Sequence, residues 1–115
     1  MSFINKLIIS TLAVLLVAYM LPGVHVDSIM IALIVAAVLA FLNSLVKPIL
    51  VFFTLPITLL TLGLFLLVIN AFIILIADKL VNGFNVSSFW TALLFSIILS
   101  MVTSIFEMLS SGRKE

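Results

Sequence analysis

Between Asn43 and Asn70 the chain reads NSLVKPILVFFTLPITLLTLGLFLLVIN. Lys47 stands directly before Pro48, and Thr54, Pro56, Thr58, Thr61 and Gly63 follow at short intervals. The uncharged run that begins here, residues 48–77, is thirty residues long. As one helix it would extend about 45 Å at 1.5 Å per residue, well beyond the roughly 30 Å hydrocarbon core of a bilayer. It is also too short to cross twice with a turn between the crossings. Part of it must therefore do something other than span.

The neighbouring uncharged runs are simpler. Residues 7–26, 28–46 and 80–106 each fit one crossing of about 20 residues. Apolar residues make up 66% of the sequence and charged residues 8%, against roughly a quarter charged in a soluble domain. The solvent is therefore a lipid bilayer, and one membrane domain is expected over residues 1–115. A net charge of +1 without a basic cluster offers nucleic acid nothing to bind. With no cysteine and one histidine, disulfides, thiol chemistry and metal clusters are not expected, and no cofactor is implied. Leu7–Met20 has the apolar character of a signal-peptide core. Only Lys6 precedes it and no small-x-small pattern follows, so a retained first span is expected.

Two turns sit sixty residues apart. PGVHVDS at 22–28 and NGFNVSS at 82–88 superimpose Gly23 on Gly83, Val26 on Val86 and Ser28 on Ser88. The segments that follow carry small residues at matching positions: Ala32, Ala36, Ala40 and Ser44 in one, Ala92, Ser96, Ser100 and Ser104 in the other. A small residue at every fourth position is a ridge that lets membrane helices approach closely. The expected fold is an all-α membrane protein with four transmembrane helices, at about 4–21, 28–46, 64–81 and 88–109, forming two copies of a helical hairpin. Residues 48–63 remain as an insert between the hairpins, broken by Pro48 and Pro56 and either re-entrant or lying in the interface. With four spans, Lys6, Lys47, Arg113 and Lys114 share one side and Lys79 faces the other, so both termini are expected in the cytoplasm.

Most of the polar residues have a structural reading. Lys47 is expected to snorkel to the interface, with Pro48 forcing it out of the helical region. Its functional reading is a ligand for lipid phosphate or part of a polar path. Thr54, Thr58 and Thr61 fall at i, i+4 and i+7. Such threonines bond their own i−4 carbonyls and help a chain tolerate proline; the alternative is a hydroxyl stripe along a water-lined groove. Asn70 lies mid-span and needs a partner across a helix interface, because an unpaired amide there is expensive. Asn43 lies nearer the interface. Asp78 and Lys79 read as a water-facing pair, Glu107 as a snorkelled acid, and Tyr19, Phe89 and Trp90 as an aromatic belt on the outer side. His25 and Asp27 share one turn and are too few for a metal site. The sequence has no nucleophile–base constellation, paired carboxylates or phosphate-binding glycine loop, so no enzyme is expected and no catalytic residue is assigned.

Three segments carry a family resemblance: NSLVKP at 43–48, LPITLLTLG at 55–63 and VNGFNVSSFW at 81–90. In these the chain resembles the four-span phage-holin-family membrane proteins of bacteria, the YvlD-like group of the mycobacterial four-span phage holin superfamily. The resemblance covers nearly the whole chain. It implies a four-helix protein of the bacterial plasma (inner) membrane and transfers no catalytic residues. The expected function is that of a small, non-enzymatic polytopic membrane protein, acting as a homo-oligomer or by binding a membrane-protein partner or lipid. Its rivals are a holin-like pore former and a small transporter or channel subunit that uses the insert as a broken helix.

The orientation is testable with single cysteines at Ser2, His25, Asn85 and Ser111 and an impermeant thiol reagent on intact cells. Labelling is expected at positions 25 and 85 and not at 2 or 111. Labelling of either terminal position would reverse the topology.

Overall fold

A computed structural model describes residues 2–112, a set of helices joined at one end by a short β-ribbon. Helix α1 spans Phe3–Met20, β1 Val24–Val26, α2 Ile29–Phe41, α3 Lys47–Phe53, α4 Leu55–Leu60, α5 Phe65–Leu80, β2 Phe84–Val86 and α6 Phe89–Gly112. A π-helical turn, Leu42–Val46, joins α2 to α3, giving one helical rod from Ile29 to Phe53. This rod, α1, and α6 as far as Ser110 are each long and apolar enough to cross a membrane. The 16 residues of α5 make roughly 24 Å of helix and fall short of a full crossing by themselves. Arg113 and Lys114, two of the residues counted for orientation, lie outside the described residues.

The break expected at Pro48 is not there. Lys47 has φ −59° and ψ −45°, inside the helical region. Proline cannot donate to the helical ladder, and its ring presses on the carbonyl four residues back. The π turn absorbs both problems: the Lys47 N–H donates to the Leu42 carbonyl, five residues back, and the wider turn makes room for the ring. The axis breaks later, at Thr54, whose backbone leaves the helix at φ −107° and ψ 13°. Pro56 then sits in the first turn of α4, where its missing N–H costs nothing. A turn closes α4, with Leu62 N–H donating to Leu59 O and Gly63 N–H to Thr58 O, and leads into α5.

Nor is the chain wholly helical. The two breaker clusters are short strands, paired antiparallel with Val24 opposite Val86, His25 opposite Asn85 and Val26 opposite Phe84. Flanking bonds extend the ribbon: Asp27 N–H donates to Gly83 O at 2.9 Å, and Ser87 N–H to Gly23 O at 2.8 Å. These two bonds exchange under a shift of sixty residues, and other local features recur at the same spacing. Leu21 N–H bonds Val17 O, and Val81 N–H bonds Ala77 O. Ser28 Oγ caps α2 by accepting from Ile31 N–H, and Ser88 Oγ caps α6 by accepting from Thr91 N–H, both at 3.2 Å.

The ribbon gathers the C-terminal ends of α1 and α5 and the N-terminal ends of α2 and α6. Below it, α1 packs on α2 and on α6, α5 packs on α6, and α5 also touches α2 and α3. The core is densest near the ribbon, where Val17, Val35, Ile73, Phe84 and Phe95 are buried among Ala13, Ala32, Ala77 and Ala92. Small side chains let the helix backbones approach, and dispersion at close range then holds helices that gain no hydrophobic drive from associating in lipid. Ile8, Leu12 and Leu16 form an exposed stripe along α1 that faces the acyl chains.

Gly23 and Gly83 are held twice over. Both have positive φ, 94° and 97°, and an added Cβ would lie 2.6 Å from Ser87 Oγ or 2.9 Å from Asp27 Oδ2. Alanine at either should cost at least about 1–2 kcal/mol from backbone conformation alone, with the crowding added. Gly63 has φ 90° and open space around it, so Gly63→Ala should cost the backbone strain only. Denaturation of purified protein in mixed micelles is expected to rank Gly63→Ala mildest; the reverse order would remove this account of the ribbon. On the buried ridge, Ala36→Leu should destabilise by about 1–3 kcal/mol through overpacking, whereas the exposed neighbour Ala37 should accept leucine. Equal tolerance at 36 and 37 would mean that the ridge does not pack.

Candidate functional site

Away from the ribbon the helices separate. Between α1, the rod and α6 lies a cleft of about 450 Å³. Its α1 wall is Phe3, Lys6, Leu7, Ser10 and Val14, one face of the helix at three- and four-residue spacing. The rod contributes Ala36, Leu39, Ala40, Asn43 and Ser44, and α6 contributes Leu99, Ser100, Thr103 and Ser104. Four of the rod positions match α6 positions sixty residues on: Leu39 with Leu99, Ala40 with Ser100, Asn43 with Thr103, Ser44 with Ser104. The cleft therefore runs between the two small-residue ridges, lower down than the level at which they are buried. Ala32, Ala36, Ala92 and Ser96 are buried, Ala40 is half-buried, and Ser44, Ser100 and Ser104 are exposed. The ridges assist close packing near the ribbon and border space farther from it.

The cleft ends blind. Its lining reaches no nearer the ribbon than Val14, Ala36 and Leu99. Beyond these the core is filled by Val17, Val35 and the tilted pair Phe84–Phe95, whose ring centroids are 5.9 Å apart. Among the described residues, Lys6 is the one charged member of the lining, and none is an acid. The polar side chains of the cleft have no hydrogen-bond partner among the described residues. Hydroxyls elsewhere in the helices do: Thr11 Oγ1 donates to Leu7 O at 2.8 Å, and Ser96 Oγ to Leu93 O at 2.9 Å. No fully buried side-chain polar atom lacks a partner among the described residues, so the free donors of the cleft are open to its interior.

A shallower groove adjoins it, lined by Asn43, Lys47, Pro48, Val51, Phe52 and Leu55. Asn43 belongs to both, because the π turn presents it between them. Lys47 thus stands beside the groove, half-buried, on a helix it does not interrupt.

The threonines of the insert do not join the cleft. Thr54 Oγ1 donates to Leu50 O at 2.8 Å and lies 3.4 Å from Thr58 Oγ1, which is buried. Thr61 Oγ1 donates to Ile57 O at 3.0 Å and accepts from Phe65 N–H at 3.1 Å, linking α4 to α5. The Leu50 and Ile57 carbonyls that take these hydroxyl bonds also accept the Thr54 and Thr61 backbone N–H groups, while Phe65 N–H, at the start of α5, has Thr61 Oγ1 as its acceptor. Asn70 is half-buried and its amide makes no hydrogen bond among the described residues. At the ribbon, Asp78 is no water-facing partner for Lys79: its Oδ2 accepts from Val86 N–H at 3.0 Å and fastens β2 to α5. His25 Nε2 and Asp27 Oδ1 lie 2.6 Å apart, exposed, and no group of three or more potential metal ligands occurs among the described residues.

Sequence reasoning missed Lys6 and Ser10 as site residues. Their signal was available: they lie at i and i+4 on the α1 face that also carries Val14, and Asn43 and Thr103 form a polar pair at the sixty-residue offset. Tyr19 and Trp90 are exposed at the ribbon end, where an aromatic belt would lie.

Similarity to known proteins likewise points to a membrane protein. Residues 1–105 match the family described as mycobacterial 4 TMS phage holin, superfamily IV. The chain is 38% identical over 97 residues to the uncharacterized membrane protein YvlD of Bacillus subtilis (strain 168), covering 84% of this chain and 82% of that one. It is 47% identical over 75 residues to the uncharacterized protein SCO3922 of Streptomyces coelicolor (strain ATCC BAA-471 / A3(2) / M145), covering 62% and 60%. No solved structure matches. With apolar helices of spanning length and a family match over nearly all of its residues, the chain is a membrane protein and belongs to the four-span phage holin superfamily IV.

Proposed function

We propose that this holin-family protein is a non-enzymatic resident of the bacterial plasma membrane that acts by binding, to lipid, to a membrane partner or to further copies of itself, rather than by forming a pore within one chain. Its four crossings form two hairpins related by a pseudo-twofold axis through the ribbon, with the cleft on that axis. Supporting the pairing of hairpins are the reciprocal bonds Asp27–Gly83 and Ser87–Gly23 and the matched cleft walls. The fourth crossing is α5 completed by the insert: α4 and the turn at Gly63 supply the depth that 16 residues lack. The termini and the mouth of the cleft face the cytoplasm, the side on which Lys6 and Lys47 would lie under the positive-inside bias.

The observation that carries this reading is the blind end of the cleft. A conducting path needs a continuous polar lining, and here the polar wall stops at a core of valine and phenylalanine. The hydroxyls of the insert are likewise engaged by backbone carbonyls and extend no such lining. Purified protein in liposomes is expected to leak protons and a small dye no faster than an equally abundant four-span control protein. During controlled expression, a potential-sensitive dye should report no abrupt collapse. A sharp, protein-specific collapse, lost in a variant that no longer oligomerises, would place the pore former first.

A further inference from the structure

We propose that the cleft and its adjoining groove bind one anionic phospholipid, with the phosphate headgroup at Asn43 between Lys6 and Lys47 and an acyl chain along Val51, Phe52 and Leu55. This rests on the binding reading given above and names its ligand. The two cavities have opposite characters and share a wall residue. The cleft is walled on three helices by hydroxyls, an amide and an ammonium with no protein partner among the described residues. The groove has one ammonium, one amide and an otherwise apolar lining. An amphiphile with a hydrogen-bond-accepting, negatively charged head and an aliphatic tail matches both at once.

The charge is one-sided. Among the described residues, two lysines border the pair of cavities and no carboxylate does. Phosphate oxygens accept several hydrogen bonds and favour ammonium groups, so donors such as Ser10, Asn43 and Thr103 can saturate one. A cleft of about 450 Å³ is within the roughly 300–1,000 Å³ typical of ligand sites. Lipid is favoured over free phosphate because the groove continues from Asn43 as apolar surface, which free phosphate would leave empty. The anionic cytoplasmic leaflet would supply such a headgroup on the side proposed for the cleft mouth.

The test is native mass spectrometry of the detergent-purified full chain, titrated with phosphatidylglycerol, phosphatidylcholine or inorganic phosphate. Phosphatidylglycerol is expected to bind one per chain, and about tenfold more tightly than phosphatidylcholine, the order expected of two lysines near an anionic headgroup. Ser100→Leu fills the cleft without changing charge and should abolish that preference. Lys6→Gln and Lys47→Gln should each weaken it about threefold, and Lys79→Gln, at the ribbon end, should leave it intact. Lys6→Arg should retain binding, and circular dichroism checks that each variant keeps its helices. Equal binding of the two lipids, or a preference that survives Ser100→Leu in a folded variant, would overturn the proposal. Inorganic phosphate that displaces phosphatidylglycerol at equal concentration would also overturn it, since the site would then bind a free anion. Leakage in liposomes would defeat the non-pore reading and leave lipid selectivity to be read separately.

Discussion

The pairing of Val24–Val26 with Phe84–Val86 is the constraint on which the rest of the molecule depends. Where a helix ends near a membrane interface, backbone groups lose their internal partners and need others. Here each of two such breaks supplies the partners of the other. The ribbon ties four helix ends together, and Asp78 adds a carboxylate acceptor for Val86 N–H on its outer edge. Glycine at 23 and 83 is required because the side chains of Ser87 and Asp27 lie where a Cβ would project. Four helix ends that would otherwise be free to drift apart are held at one fixed separation.

The cleft follows from that tie. Helices pinned at one end can pack tightly there and diverge at the other. Near the ribbon, alanines at 13, 32, 77 and 92 bring backbones together and Phe84 and Phe95 fill what remains. Farther away, the same ridge spacing carries serine, and space opens between α1, the rod and α6. A small residue thus has two opposite uses on one ridge. It permits contact where helices converge, and where they diverge it leaves volume and a hydroxyl facing it.

Proline acts through geometry in the same way. Pro48 is accommodated by a π turn that keeps the rod continuous and brings Asn43 between the two cavities. Pro56 lies at a real break, and the hydroxyls of Thr54 and Thr61 bond the carbonyls around it. Two prolines eight residues apart thus have different consequences, because one has a widened turn before it and the other has a helix start.

The sequence by itself determined the solvent, the apolar helices and the two turn clusters at which α1 and α5 stop. Those follow from local quantities: an apolar fraction of 66%, run lengths set by bilayer thickness, and glycines beside serine caps. It also marked the sixty-residue offset of the two turns, because that is a pattern along the chain. Only the tertiary structure decided what the turns do. Strands of three residues are too short for alternation to declare them, and their register depends on a partner sixty positions away. The same holds for the rod through Pro48, since a π turn costs little only where neighbouring helices leave room for it. It holds as well for Lys6 and Ser10, which looked like the start of an ordinary span. They became walls of a cleft because helices tied together at the ribbon leave space between them farther away, and that space is a property of the bundle that no single segment encodes.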